Sequence, residues 1–171
     1  QTPIRPERLC REIAQALPPD GILVADTGLS AIWTGTLVPI TQPSQRYIRC
    51  AGSLGWGFPG ALGVKCALPD RAVICFTGDG GFFYHLSELE TARRLGAAFT
   101  LVVVNNAASG YVKALQHAMY GAYQSSDLVE LDYAAIARAM GCRGRRVEDP
   151  AELAPALAEA LAEPSVPSLV D

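Results

Sequence analysis

Two apolar runs anchor the pattern of the chain, residues 72–77 and 99–104. Both are rich in β-branched residues and bounded by Gly, Asp or Asn, which predicts buried strands. Between them Leu86, Leu89, Ala92 and Leu95 recur at helical spacing, with Glu88, Glu90, Arg93 and Arg94 on the polar side, and Gly96 stops the predicted helix. Shorter runs predict strands near 22–25, 47–50, 144–147 and 168–170. A stripe of Leu9, Ile13, Ala14 and Leu17 predicts a helix over 3–17, with Pro6 in its first turn. Further helices are expected after Ser30, up to about Ala67, over Tyr111–Met119 (Val112, Leu115 and Met119 on one side), from an Asp132 cap to Met140 and Gly141, and over Ala151–Ala162. Strands alternating with helices predict one α/β domain over 1–171: a doubly wound, mostly parallel sheet with helices on both faces.

The two central strands and the helix between them form a right-handed parallel unit, so both strands end on one edge of the sheet. The first ends in Gly78-Asp79-Gly80-Gly81 and the second in Asn105-Asn106. Neighbouring strands lie about 5 Å apart, so Asp79 and an Asn can converge. A carboxylate and a carboxamide are hard oxygen ligands of the kind Mg²⁺ takes, its remaining positions going to water and phosphate oxygens. The glycines allow backbone N–H groups to approach an anion, and the following helix presents its positive end. A diphosphate clamped by Mg²⁺ is the expected occupant. A similar strand–loop–helix corner at Asp26-Thr27-Gly28-Leu29-Ser30 either contacts the same anion or leaves Ser30 as a helix cap.

Composition adds boundaries. Half of the residues are hydrophobic, enough for a sizeable core. With 14 basic and 17 acidic residues, a net charge of -3 and no basic block, a nucleic-acid partner is not expected. The apolar runs are far short of a membrane span, so no membrane partner is expected. The five cysteines, Cys10, Cys50, Cys66, Cys75 and Cys142, show no CxxC spacing and read as buried free thiols in a reducing cytoplasm. Gln1 at the start and a strand at Ser168–Asp171 suggest a piece of a longer protein.

Gly55, Gly57 and Gly60 formally satisfy a G-x-G-x-x-G dinucleotide fingerprint, with Asp79 at about the right distance. This NAD-binding oxidoreductase reading is the weaker one. Ala51–Leu54 separates the first Gly from the strand, Asp79 already sits in its own glycine turn, and the asparagine pair stays unexplained.

GDG at 78–80 and NN at 105–106, with the 81–104 spacing between them, resemble the thiamine-diphosphate motif of the acetolactate synthase and pyruvate decarboxylase superfamily. The tail DYAAIARAMGCRGRRVEDPAELAPAL resembles that of acetolactate-synthase-like large chains. The resemblance implies a C-terminal diphosphate-binding domain. Asp79, Asn106 and the Ala108 carbonyl would bind Mg²⁺. Gly28, Leu29, Ser30, Gly78, Gly80, Gly81 and Ser109 would surround the thiamine diphosphate. Gly52 and Ser53 would lie under its aminopyrimidine ring, and Leu54 would wedge between its two rings to bend it. The implied reaction decarboxylates a 2-oxo acid, and the resulting enamine is protonated or ligated. Acetolactate-synthase-like chemistry comes first, with benzoylformate- or pyruvate-type decarboxylation as the alternative. The glutamate that activates the coenzyme would lie on a separate domain. The resemblance therefore implies missing N-terminal and middle domains, a homodimer or homotetramer, and an isolated chain that binds the coenzyme weakly without turnover. A non-catalytic homologue that keeps the fold is a further alternative, which the intact Asp79 and Asn106 argue against. Tyr111 and Gln116 are substrate-side candidates by the same resemblance; His85, in the first turn of the central helix, reads as a structural or surface residue ahead of one facing the site, and His117 lies on the helix after the asparagine pair.

Overall fold

The computed structural model describes residues 3–50, 52–163 and 165–171; Gln1, and Ala51 at the head of the glycine-rich stretch, lie outside the described residues. Six strands form one sheet: β1 (Ile22–Ala25), β2 (Arg46–Arg49), β3 (Val73–Gly78), β4 (Thr100–Val104), β5 (Arg143–Arg145) and β6 (Ser168–Val170). Their order is β2-β1-β3-β4-β6-β5, and every pairing is parallel, not merely most of them. β1, β3 and β4 are almost wholly buried and correspondingly apolar, as a sheet covered on both faces requires.

Alternating side chains feed two cores. Ile22, Val24, Cys75, Leu101 and Leu169 face one side, where helices α3 (Gly57–Ala67), α5 (Glu88–Arg94) and α7 (Tyr133–Ala139) contribute Phe58, Leu89 and Ala134. Leu23, Ile74, Phe76, Val102 and Val170 face the other, covered by α1 (Pro6–Ala16) and α8 (Leu153–Ala162) through Leu9, Ile13, Leu153 and Leu157. Chain connections run from β1 outward to β2, then back across to β3. The order reverses between β1 and β3, the place where such sheets open a crevice at their carboxyl edge.

The structure corrects several local expectations. The central segment is two helices, α4 (Asp79–Phe83) and α5, broken at Tyr84–Ser87. Phe82 is fully buried against Phe58 and edge-on to Tyr133 (ring centroids 5.5 Å apart in each case), so anchoring that ring ends the first helix early. A helix as short as α4 also presents little macrodipole, so backbone N–H groups matter more there. β5 spans 143–145, not 144–147, although two further bonds to Asp171 (from the Val147 N–H to its carbonyl, 2.7 Å, and from its N–H to the Arg145 carbonyl, 2.9 Å) carry the parallel pairing with the last strand a little beyond. The last helix opens with a 3-10 turn, Pro150–Glu152, capped by Asp149 through the Ala151 N–H (2.9 Å). Asp132 caps α7 as expected, accepting from Ala135 N–H (2.7 Å). Helix α6 (Gly110–Tyr120) buries none of its residues, and its Val112, Leu115 and Met119 are exposed. Among the cysteines, Cys10, Cys75 and Cys142 are buried, but Cys50 is only partly covered and Cys66 is exposed; all five are free thiols.

Candidate functional site

Helix N-termini gather over the crevice. Helix α2 (Leu29–Leu37) begins behind Gly28, α4 begins at Asp79, and α6 begins behind Ser109. Gly28 is the cap of α2, with φ +83°, a conformation that favours glycine. Ser30 is therefore not the cap; it is buried, and a Cβ on Gly78 would lie 3.9 Å from its Oγ. Between the three ends lies a cavity of about 200 Å³. Gly28, Leu29 and Ser30 line it from the first corner, Gly78, Asp79, Gly80 and Gly81 from the second, and Asn106, Ala108 and Ser109 from the third.

Leu54 also lines the cavity and is 45% exposed, so it is not ordinary core. Gly52 and Ser53 lie outside the lining; both are exposed, and Gly52 has φ +80°. Tyr111 lines the cavity, whereas Gln116 instead accepts the Gln124 N–H (3.1 Å), tethering the loop after α6. His85 sits in the turn between α4 and α5, against Gly55, and His117 is exposed. Sequence reasoning missed the apolar wall of Trp33, Val104 and Val112. Val104 ends a strand already read as buried, but Trp33 and Val112 carry no signal apart from their helical register.

Among the described residues, Asp79 is the only charged one lining the cavity. It is 2% exposed. Its Oδ1 accepts the Gly80 N–H (2.8 Å), while its Oδ2 is buried and has no partner among the described residues. Burial raises its pKa above the ordinary carboxylate value, against the lowering pull of the Gly80, Ala108, Ala107 and Asn106 N–H groups. A buried carboxylate oxygen left unmatched is unfavourable unless something outside the chain meets it. The two asparagines diverge. Asn106 reaches the cavity, and a Cβ at Gly110 would lie 2.9 Å from its Nδ2, which keeps that position glycine. Asn105 turns away, its Nδ2 donating to the Leu131 carbonyl (2.7 Å) and to Asp171 (3.4 Å).

The loop from 107 to 109 is held from outside. Ser109 N–H bonds the Ser126 carbonyl (2.8 Å), Leu128 N–H bonds the Ala107 carbonyl (2.7 Å), and Ala108 bridges Asp127, which Lys113 pairs. The polar loop 121–127 is thus tied down at both ends rather than loose.

A second acid went unassigned in the sequence. Asp26 follows β1, is 1% exposed, and accepts hydrogen bonds from Thr27 N–H (2.8 Å), Gly55 N–H (3.0 Å), Gly57 N–H (3.3 Å) and Thr77 Oγ1 (2.9 Å). The dinucleotide reading of Gly55–Gly60 finds no support in this geometry. Two of its backbone donors are taken by Asp26, and a Cβ at Gly60 would lie 2.7 Å from the Trp56 ring.

Residues 26–171 match the family described as thiamine pyrophosphate enzyme, C-terminal TPP binding domain. The chain is 32% identical to the acetolactate synthase large subunit of Buchnera aphidicola over 98% of its length. It is also 32% identical to the acetolactate synthase isozyme 3 large subunit of Escherichia coli over 92%, and 33% identical to the acetolactate synthase large subunit of Parasynechococcus marenigrum over 91%. It spans 30%, 28% and 25% of those three proteins respectively.

Proposed function

Because the chain belongs to the thiamine pyrophosphate enzyme family as a C-terminal TPP binding domain, we propose that the cavity between α2, α4 and α6 takes the diphosphate end of the coenzyme together with Mg²⁺. The observation that carries this reading is the unmatched, buried Oδ2 of Asp79, set among helix N-termini. The residues present suit the group. Asp79, the Asn106 carboxamide and the Ala108 carbonyl offer hard oxygens to a divalent cation. The N–H groups of Gly28–Ser30, Gly80, Gly81 and Ser109 suit phosphate oxygens. Ser30 adds a hydroxyl, and Leu54 offers an apolar wedge at the cavity wall.

When bound, the coenzyme supplies an electron sink that lets a 2-oxo acid lose carbon dioxide. This chain's own part is to bind and orient. Among the described residues no second carboxylate and no imidazole lines the cavity; in this proposal the proton relay belongs to another domain. The relatives' names favour acetolactate-synthase-like carboligation over simple decarboxylation of the benzoylformate or pyruvate type. Further domains, a homodimer or homotetramer and a cytoplasmic setting complete the proposal. The five free thiols suit a reducing compartment, and no helix among the described residues is long and apolar enough to cross a membrane.

Thermal unfolding with thiamine diphosphate, with and without Mg²⁺, tests the reading. Ligand at a hundredfold excess over its dissociation constant stabilises by about 2.7 kcal/mol. The expected result is a Mg²⁺-dependent rise in Tm that disappears in Asp79→Ala; a shift that survives that substitution contradicts it.

A further inference from the structure

One carboxylate ties together segments that line the cavity. Asp26 lies at the reversal point of the sheet, between the ends of β1 and β3. The Gly55 N–H it accepts belongs to the peptide that carries Leu54, and both carboxylate oxygens grip it (3.0 and 3.1 Å). The Gly57 N–H fixes the start of α3, and the Thr27 N–H fixes the approach to Gly28. Thr77 Oγ1 lies on β3, just before Gly78 and Asp79. Thr27 adds a second tie through its hydroxyl to the Cys50 carbonyl (2.8 Å).

The surroundings leave no slack. A Cβ at Gly57 would stand 2.7 Å from Asp26 Cβ and 2.9 Å from its Cα, and one at Gly81 would overlap Asp26 Oδ2. Glycine at 57 and 81 is thus what lets this carboxylate fit between the corners. Leu54 itself has little packing to hold it, since nearly half of its surface is open. Its place at the cavity wall depends on its backbone, and Gly55 beside it is at φ +90°, a conformation open to glycine, so the hydrogen bonds to its N–H are what fix that backbone.

We propose that Asp26 is a positioning residue: it sets where Leu54 stands relative to the diphosphate corner and so governs how well the ring end of the coenzyme is received. The inference rests on the coenzyme reading above. Asp26 is not among the residues that line the cavity; it acts through Leu54. The diphosphate corner has further determinants of its own in Gly28–Ser30, Asp79 and Ser109, whereas Leu54 is held mainly through the Gly55 N–H that Asp26 accepts, so loss of Asp26 weakens the ring end more than the diphosphate end.

The test compares inorganic pyrophosphate with thiamine diphosphate, both with Mg²⁺, on the natural protein at full length. Titration calorimetry of the parent, Asp26→Ala and Asp26→Asn supplies the affinities. Asp26→Ala is expected to bind pyrophosphate within about twofold of the parent and thiamine diphosphate at least tenfold more weakly. Asp26→Asn is expected to restore part of that loss. Its Oδ1 can still accept backbone N–H groups and its amide can donate to Thr77 Oγ1, but the amide nitrogen cannot take over the second contact with the Gly55 N–H. Hydrogen exchange gives a readout independent of ligand: the Gly55 and Gly57 amides should lose protection in Asp26→Ala and keep it in Asp26→Asn. Equal weakening of both ligands in Asp26→Ala, unchanged thiamine diphosphate affinity, or no recovery with Asn would each overturn the role of Asp26. A parent that binds pyrophosphate but shows no added affinity for thiamine diphosphate would instead sink the coenzyme reading, and this inference with it.

Discussion

Tyr133 shows how a buried group reports on its surroundings. It is 2% exposed, stands edge-on to Phe82, and has its pKa pushed up to about 12 by burial, with Asp79 and Asp171 adding their negative charge. An unfolded tyrosine loses its proton near pH 10. Between pH 10 and 12 the unfolded chain therefore carries fewer protons than the fold, and stability declines across that window, with no contribution below it. Spectrophotometric titration should show a phenol ionising near pH 12. Tyr133→Phe should remove that step and make the alkaline loss of stability shallower. Much of the site was legible at this level. Asp79 and Asn106 stand in glycine- and asparagine-rich turns at strand ends, where few other roles fit. Asp26 was not, because its partners at 55, 57 and 77 meet it only after the sheet has formed. Gly52 and Ser53 were read from resemblance, and the chain places them outside the cavity.

Neighbouring pieces of secondary structure fit as tightly as single residues do. Gly144 on β5 lies against the first turn of α7; a Cβ there would stand 2.8 Å from the Ala134 carbonyl carbon and 3.0 Å from its Cα. Backbone cannot swing aside as a flexible side chain can, so Gly144→Ala should destabilise by about 3 kcal/mol. Chemical denaturation of the parent and the variant measures it, and a change under 0.5 kcal/mol would contradict the packing described. Nothing in the sequence marks Gly144, because a glycine between two arginines on an edge strand has no local signature. The same blindness explains the split between α4 and α5. Leu86, Leu89, Ala92 and Leu95 fit one helix by spacing, yet the burial of Phe82 redirects the backbone before the second begins. All six strands were legible to within about two residues; the buried β1, β3, β4 and β6 announce themselves by apolar content, while the edge strands β2 (RYIR) and β5 (RGR) carry little of it.

The described residues leave the cavity open on one side. α6 buries none of its residues; its Tyr111 and Val112, which line the cavity, are exposed, as are Leu115, Met119 and Tyr120 further along it. A corner with one acid and an uncovered wall can hold a ligand but cannot shield a reaction from water. The chain by itself is therefore expected to bind thiamine diphosphate weakly and to release no carbon dioxide from 2-oxo acids. A coupled assay that detects steady decarboxylation by these residues alone would refute this.

The sheet order has a consequence for how the molecule is made. β6, the last of the six strands in chain order, is not an edge strand; it lies between β4 and β5. A nascent chain can zip β2, β1, β3 and β4 together while synthesis continues, but β5 has no place in the sheet until β6 arrives to join it to β4. Until then β4 keeps a bare edge, a ready template for the wrong neighbour. Losing β6 would therefore cost the sheet two strands, not one.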